Sequence, residues 1–454
     1  MAKFILFTHC FSGLPLALRL KEEGHKVLVA VIEPEMAEEE YFPPESREEK
    51  KKEKEFRKEM GLIGNGMIEK MWAKDVMKAL RKRSKKDIYI IFDQIYGFKY
   101  GEELRELGYK VFGGTKKGYD LEINRDKAKE YFQEWEGIYI PEKREFEGDQ
   151  IDEAIEFLRE QEGKLFVFKS DNPLVSVQVA EHSNEEIINK MENEREEIEK
   201  YPFLLEEKIE GYEFAVELWL NDLGEPFFFN VDFEEKRKYP ECDIQVGCSY
   251  DIVFALPLDC VFFEKTFKPN LERIKEDRWQ IIDMQCIYEP VNQRIYYLES
   301  CGSRFAFNAL YTFLETLTIP VGEFFQKVLD NQFKEDISGL FDGVGVSLRI
   351  FNDESKRGNL IEISEKVKPH FWIWGAYKKK GKLLTCEDES IGVLTAKGEN
   401  PFGAFYKIKK MFKEIYCSSK WARMDFLDDV NEEGVLFRYN FFEEQGWYER
   451  LTRD

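Results

Sequence analysis

Length and composition exclude several classes of protein before any motif is considered. Of the 454 residues, 43% are hydrophobic and 15% aromatic, which is enough apolar material for sizeable cores and excludes a disordered or fibrous chain. At roughly 150 residues per domain, the length predicts about three domains. The 89 acidic residues outnumber the 67 Lys and Arg residues and give a net charge of −22, so we expect no nucleic-acid partner.

The chain also lacks the patterns of a membrane protein or a metal-thiolate protein. Its longest apolar runs, such as FILF at 4–7 and IYIIF at 88–92, have the length of strands and fall far below the roughly 20 residues of a membrane span. No signal-peptide pattern precedes the first run, so we expect a soluble, cytoplasmic protein without a membrane partner. The eight cysteines form no CxxC pair, and the four histidines have no metal-ligand spacing. Carboxylates, lysines and a bound cofactor are left to carry any chemistry.

The first 118 residues have the pattern of a small parallel α/β domain. An apolar strand, a polar turn with Ser12 and Gly13, an amphipathic helix and the strand KVLVAVI form a βαβ unit. A further buried strand, DIYIIFDQI at 87–95, precedes another helix and strand. The first turn lacks the GxGxxG spacing, which weighs against a dinucleotide-dependent oxidoreductase.

The remainder has an α+β pattern. A helix beginning near Asp126 is followed by the strand KLFVFKS and then by the strands of FLLEEKIEGYEFAVELWLN. The segments EPFFFNVDFEEKR and IIDMQCIYEPVNQRIYYLES predict antiparallel strands, the second of them a hairpin. From about residue 336, GVGVSLRIF, SIGVLTAKG and a helix at 402–416 predict a third, smaller α+β domain.

Two lysines and three glutamates in the middle region suit a nucleotide. Lys127 lies at the head of a helix and Lys169 at the end of a strand, where an ammonium group can reach phosphate oxygens. Backbone groups beside Glu206 and Glu207 can hydrogen-bond an adenine edge, and the Glu213 carboxylate can accept from ribose hydroxyls. The alternatives are a pair of surface lysines and a solvated strand edge.

A pair of carboxylates in the predicted hairpin suits a divalent cation. Asp283 and Glu299 lie on its two strands, with Arg304 just after, and such carboxylates can hold Mg²⁺ that bridges phosphate oxygens. Asp283 interrupts an apolar strand, where an unpaired charge is costly, so we expect a cation or partner beside it. The alternative is an ion pair with Arg294 or Arg304.

The order of these elements resembles the ATP-grasp superfamily, and in particular the phosphoribosylamine-glycine ligases of purine synthesis. The resemblance spans nearly the whole chain and rests on NRDKAKEYFQEWEGIYIP, LFVFKSDN, LLEEKIEGYEF, FEEKR, YYLESCGSR and WARMDF. It implies a parallel α/β pre-ATP-grasp domain at 1–118, an ATP-grasp domain at 119–335 with α+β subdomains at 119–203 and 204–335, and a small α+β domain at 336–454.

The resemblance implies an ATP-dependent carboxylate-amine ligase. ATP would activate a small-molecule carboxylate as an acyl phosphate, which a small-molecule amine would attack to give an amide, in a monomer or homodimer. Mg²⁺, or alternatively Mn²⁺, would accompany ATP. The implied sites comprise Lys127, Lys169, Glu206, Glu207 and Glu213 around the nucleotide, Asp283 and Glu299 at the metal, and Lys236, Arg304 and Asp243 at the reacting groups.

Three segments depart from the pattern of these ligases. The strand lysine is followed by SDNPLVSVQV, which has no glycine where the family has a glycine-rich lid. The motif around the amine substrate reads CDIQVGCSYD and keeps only Asp243 and Gly247, and Cys301 replaces an Asn that ligates the metal. These departures favour a different carboxylate and amine. The alternative function is a catalytically degenerate nucleotide-binding or structural module.

Overall fold

The computed structural model describes residues 1–37, 51, 54, 58, 61–83, 87–170, 175–240, 245–277, 280–300, 302, 304–426 and 434–449. A parallel sheet comes first and comprises β1 (Lys3–Thr8), β2 (Lys26–Val31), β3 (Glu69–Trp72), β4 (Ile88–Phe92) and β5 (Lys110–Phe112). Its spatial order is β3-β2-β1-β4-β5. The accompanying helices are α1 (Leu14–Glu22), α2 (Pro34–Ala37), α3 (Ala73–Leu80) and α4 (Phe98–Glu106).

The turn between β1 and α1 packs tightly against the end of β4. The backbone N–H of Gly13 donates to Asp93 Oδ2 at 2.6 Å. A Cβ at residue 13 would lie 2.7 Å from the Cβ of Asp93, so only glycine fits at this distance. Asp93 is 1% exposed, and burial raises the pKa of its carboxyl from 3.8 to about 7, although hydrogen bonds from Thr8 and Gly13 oppose the rise.

Replacement of Asp93 by Asn should change how stability depends on pH. Because the folded-state pKa exceeds the unfolded value, the wild-type protein should lose stability as the pH rises from about 4 to about 7, on the order of 2–4 kcal/mol. An Asn side chain can still accept from Gly13 but carries no charge, so Asp93→Asn should be the more stable protein at pH 8. Unfolding of both proteins by urea at pH 5.5 and pH 8 tests this. An equal change with pH in both would contradict it.

A small antiparallel sheet follows, reached through α5 (Lys116–Ile123), α6 (Arg125–Gln133) and β6 (Ile138–Tyr139). It comprises β7 (Lys143–Phe146), β8 (Phe166–Ser170), β9 (Gln178–Val179) and β10 (Phe203–Glu207), with helices α7 (Ile151–Glu160), α8 (Glu185–Asn193) and α9 (Arg195–Ile198). The spatial order is β7-β10-β8-β9.

Phe168, Phe203 and Leu205 lie in the core of this sheet and its helices. Since strand side chains alternate, Lys169 and Glu206 lie on the opposite face.

The remaining chain builds a ten-stranded large sheet, to which β6 also belongs. Its strands are β11 (Tyr212–Leu220), β12 (Pro226–Arg237), β13 (Gln245–Ala255), β14 (Ile281–Glu289), β15 (Arg294–Ser300), β16 (Val344–Asn352), β18 (Phe371–Ile373), β21 (Ser390–Gly398) and β23 (Lys420–Trp421). A fourth sheet holds β17 (Leu360–Ile363), β19 (Ala376–Lys379), β20 (Lys382–Thr385) and β22 (Ile415–Tyr416). The helices here are α10 (Val261–Thr266), α11 (Leu271–Glu276), α12 (Ala309–Thr316), α13 (Val321–Leu329), α14 (Pro401–Phe412) and α15 (Val435–Glu444).

The two faces of the large sheet differ in chemistry. Phe214, Val231 and Phe233 face a large apolar core. The opposite face is apolar at one end, where the fully buried Trp219 packs 4.9 Å from the ring of Phe112 and so joins the large sheet to the parallel one. Further along, this face carries Glu213, Glu217, Asp232, Glu234 and Asp283, and we refer to these residues as the polar face.

The predicted fold class, a parallel α/β sheet followed by α+β parts with antiparallel sheets, is confirmed. The domain boundaries at 118 and 335 stay predictions. Strands on both sides of residue 335 belong to one sheet, because β13 pairs with β16 from Tyr250 opposite Leu348 to Val253 opposite Gly345. None of the helices in the described ranges is both long enough and apolar enough to span a membrane.

Candidate active site

Two lysines of different elements meet at one buried carboxylate. Glu206 of β10 is 2% exposed and forms ion pairs with Lys129 of α6 and with Lys169 of β8, the latter at 2.6 Å. The side chain of Lys129 is also only 2% exposed. Because both charges of a buried pair lose their hydration, such a pair persists only with close contact and good geometry. The carboxylate therefore holds both lysine side chains on the inner face of the small sheet, although burial and the neighbouring cations lower the pKa of Lys129 to about 6.

Lys169 also faces the large sheet. Burial lowers the pKa of Lys169 to about 8, and the charges that act on it come from Glu299, Arg125, Lys236 and Glu213. The carboxylates among them raise the pKa and the cations lower it. The small and large sheets thus enclose a cleft in which charged groups from both are close enough to interact.

Lys236 of β12 lies across this cleft and bridges two carboxylates. Its Nζ is 2.9 Å from Glu213 Oε1 and 3.3 Å from Glu299 Oε1. Gln285 Nε2 also donates to Glu213 Oε1, at 2.7 Å. The Lys236 ammonium, with Lys169 and Arg125 nearby, lowers the pKa of Glu299, whose side chain is 53% exposed, to about 2. Both carboxylates are therefore ionised at neutral pH and hold Lys236 at the cleft.

Asp283 of β14 lies opposite Glu217 of β11 on the polar face. Glu217 accepts from Trp219 Nε1 at 2.5 Å and from Asn230 Nδ2 at 3.1 Å, and both acids are at most 5% exposed. Glu299 pairs in register with Gln285, so it lies diagonally from Asp283, at a Cβ separation of about 7 Å. Within the described residues, no three His, Cys, Asp or Glu side chains already converge as a metal site.

Two arginines border the same cleft. Arg304 donates from Nε and Nη2 to Glu122 Oε1 at 2.9 and 2.7 Å. Arg125, the first residue of α6, has a buried Nη1 that meets no hydrogen-bond acceptor in the described part of the chain. A buried guanidinium nitrogen without an acceptor is costly, and an anion in the cleft would satisfy it. Arg125, Lys129, Lys169 and Lys236 together form a local cationic site in an acidic protein.

Comparison with solved structures identifies this architecture. The phosphoribosylamine-glycine ligase of Thermotoga maritima aligns with a TM-score of 0.65 at 16% identity, over 93% of this chain and 99% of that one. A biotin carboxylase complex with β-γ-ATP from Campylobacter jejuni aligns with a TM-score of 0.64 at 13% identity, over 97% of this chain and 99% of that one. The chain has the ATP-grasp fold. At these identities the likeness shows the fold alone.

A third structure with the ATP-grasp fold aligns over nearly the whole of both chains. The biotin carboxylase domain of the Hydrogenobacter thermophilus 2-oxoglutarate carboxylase, solved with MgADP and bicarbonate, aligns with a TM-score of 0.60 at 14% identity over 99% of each chain. The sequence matches no protein-family model and no curated protein. The fold is therefore established by structure, and the residues of the site rest on their own geometry.

The structure places two lysines of α6 in different surroundings. Asn124 caps this helix by accepting from the N–H of Lys127 at 2.8 Å, which places Lys127 in the first turn, where it is exposed. Lys129 follows two residues later, about 200° further around the helix, and points into the ATP-grasp cleft. The signal in the sequence was its spacing from the apolar Phe132, three residues on, which places the two side chains on one face.

The other predicted residues fall into three groups. Lys169, Lys236, Glu206, Glu213 and Glu299 meet at the cleft, although the Glu206 side chain binds lysines and does not lie free beside an adenine pocket. Asp283 and Arg304 border the cleft on the polar face and at Glu122. Glu207 lies apart and pairs with Lys164 at 3.3 Å. Asp243 and Cys301 lie outside the described residues.

Proposed function

We propose that the protein is an ATP-dependent carboxylate-amine ligase that forms an amide through an acyl phosphate. The observation that carries this proposal is the convergence of Lys129 and Lys169, held by Glu206, with Lys236 across one cleft. Phosphoryl transfer depends mainly on charge neutralisation and alignment, and a protein nucleophile is not required. A cluster of fixed cations between two sheets supplies both requirements.

The nucleotide would occupy the cleft between the small and large sheets. Lys129, Lys169 and Arg125 would contact its phosphates, while the backbone at the end of β10 would meet the adenine and Glu213 the ribose. Glu206 would act by holding the two lysines in place when the site is empty and by keeping them apart when phosphate arrives. The buried Nη1 of Arg125, which meets no acceptor within the described residues, supports this placement.

The carboxylates fit a hard divalent cation. Asp283 and Glu299 present only oxygen ligands, and the two buried acids Asp283 and Glu217 oppose each other on neighbouring strands, where added positive charge is favourable. We propose that Asp283 and Glu299 hold Mg²⁺, with Mn²⁺ as an alternative. When bound, such an ion bridges phosphate oxygens and neutralises their charge. The Hydrogenobacter thermophilus domain described above was solved with MgADP.

The reaction would run in two steps. A carboxylate oxygen of the first substrate attacks the γ-phosphorus of ATP, and the bond to the β-γ bridging oxygen breaks to release ADP. The amine nitrogen then attacks the acyl carbon, inorganic phosphate leaves and the nitrogen loses a proton, which gives the amide. Lys236 and Arg304 would stabilise the phosphate that is transferred, because both are fixed cations at the edge of the cleft.

Removal of a charged side chain from either side of the cleft should abolish turnover. We expect Lys169→Ala and Glu299→Ala each to reduce ADP release by at least about a hundredfold, because the first removes a cation from the phosphate site and the second removes a proposed metal ligand that also holds Lys236. ADP release is measured with Mg·ATP and a pool of small carboxylates and amines, and circular dichroism checks the fold. Lys164→Ala serves as a control on an exposed lysine two residues before β8. Unchanged turnover in both variants would refute the proposed site.

The second candidate function is a nucleotide-binding or structural module without turnover. It is favoured by the absence of glycine in SDNPLVSVQV, the segment after the strand lysine, since glycine allows backbone amides to approach phosphates closely. The same assay separates the two functions. Mg·ATP binding without ADP release would support the module, whereas ADP release supports the ligase.

A further inference from the structure

We propose that the carboxylates of Asp232 and Glu234 form the site of the second substrate and bind it as a primary ammonium ion. After one proton passes from the ion to a carboxylate of the pair, the neutral amine is the nucleophile, an assignment that rests on the proposed function. The binding site itself rests on the geometry of the polar face. The ligand is therefore an amine that is protonated when it enters the site and that offers N–H donors to two carboxylates.

Asp232 is a buried acid whose nearest hydrogen-bonding group is a second acid. It is 2% exposed, and apart from the carboxyl group of Glu234 no group in the described part of the chain hydrogen-bonds to either of its carboxyl oxygens. Leaving a buried carboxylate without hydrogen bonds is among the costliest arrangements in a protein interior. An ammonium ion provides both the missing positive charge and the missing donors.

Glu234 is the second member of the pair. It follows Asp232 by two residues on β12, so both side chains lie on one face of the strand while Phe233 between them lies in the apolar core. The two carboxyl groups are within hydrogen-bonding reach of each other. Glu234 is half-buried and forms the accessible end of the pair, with Asp232 behind it.

The charged groups around the pair are mostly acidic. Asp251 of β13 pairs in register with Glu234, and Asp283, Glu213 and Glu299 act on one or the other member from β14, β11 and β15. The Cys248 thiol also lies close to these acids. Lys236 is the cation that acts on Glu234, and it already bridges Glu213 and Glu299. Burial and the neighbouring acids raise the pKa of Asp232 well above its ordinary range.

The pair suits an organic cation better than a second divalent metal ion. Asp251 Oδ1 already accepts from Thr312 Oγ1 at 2.8 Å, so Asp232 and Glu234 are the two acids left to meet a ligand. Two carboxylates match the N–H donors of one ammonium group.

The pair also lies where an attacking amine would be needed. Glu234 precedes Lys236 by two residues on the same strand, a separation of about 7 Å along β12. An amine held at Glu234 would therefore stand beside the lysine that we place at the transferred phosphate. Other cations of similar size would compete with the amine for Asp232 and Glu234.

Methylammonium chloride is the probe for this site. Line broadening of its methyl proton resonance is measured with the full chain in the absence of nucleotide, and tetramethylammonium, which has the same charge but no N–H donor, is the matched ligand control. We expect broadening of methylammonium alone. Asp232→Asn and Glu234→Gln should each reduce the broadening at least fivefold, whereas Asp259→Asn, at an exposed acid, should leave it unchanged.

The variants should remain folded. Asp232→Asn removes an acid whose ionisation is opposed by burial in the folded protein, so its Tm at neutral pH should rise by about 1–3 °C. Equal broadening in wild-type, Asp232→Asn and Glu234→Gln proteins, or no broadening by the wild-type protein, would overturn the proposal. ADP release is assayed separately, so a protein that binds methylammonium without releasing ADP contradicts only the ligase function. One that releases ADP without binding methylammonium contradicts only this site.

Discussion

Lys129→Met should weaken the binding of Mg·ATP about tenfold to hundredfold, whereas Lys127→Met should leave it unchanged. The two lysines are two residues apart on α6 and have the same chemistry. Lys129 is buried against Glu206 in the cleft, while Lys127 is exposed in the first turn. A hydrogen bond between charged partners contributes about 1.5–3 kcal/mol, which corresponds to the expected loss of affinity.

Isothermal titration calorimetry with Mg²⁺ and a nonhydrolysable ATP analogue measures this difference. Lys129→Met leaves Glu206 with Lys169 as its remaining partner, which changes the charge balance at this carboxylate. The double variant Lys129→Met/Glu206→Gln removes the carboxylate as well and therefore serves as a second test. It should also bind the nucleotide weakly. Equal affinities in Lys127→Met and Lys129→Met would show that the helix does not present Lys129 to a phosphate.

Glu206→Ala should lower the free energy of unfolding by about 3–5 kcal/mol, because it leaves two buried ammonium groups without their carboxylate. Glu207→Ala, at the adjacent residue, should change it by less than about 1 kcal/mol. Glu207 lies on the other face of β10 and pairs with the exposed Lys164. The two substitutions remove the same side chain from neighbouring positions, so strand propensity affects both alike.

Urea denaturation followed by far-ultraviolet circular dichroism measures both losses. Replacement of the whole buried pair is less costly than removal of one partner, so Lys129→Met/Glu206→Gln should recover part of the stability that Glu206→Ala loses. If Glu206→Ala and Glu207→Ala unfold at the same urea concentration, the carboxylate does not hold the lysines in the folded protein.

The sequence predicted much of the fold because its elements have distinct local patterns. The apolar strand with its polar turn and amphipathic helix predicted the parallel sheet, and alternating residues predicted the antiparallel strands. It did not predict that β13 and β16 belong to one sheet. Their pairing, Tyr250 opposite Leu348, joins residues about a hundred positions apart, and spacing along the chain carries no information on such a register.

The candidate site was predicted in part for a similar reason. Lys169, Lys236 and Glu299 lie at strand ends, where the direction of a side chain follows from the alternation of the strand. The choice between Lys127 and Lys129 depends on how α6 is rotated against the small sheet, which is a tertiary contact. The burial of Asp232 likewise depends on tertiary contacts, because β13 lies beside β12 in the large sheet and α12 packs against β13.

The proposed function requires that side chains of the small and large sheets bind one triphosphate between them. A crystal structure of the protein with Mg²⁺ and a nonhydrolysable ATP analogue tests it most directly. We predict phosphate oxygens within hydrogen-bonding distance of Lys129 and Lys169 on one side and of Lys236 on the other, with the metal ion at Asp283 and Glu299. A nucleotide bound elsewhere, or held by neither Lys129 nor Lys169, would contradict the claim.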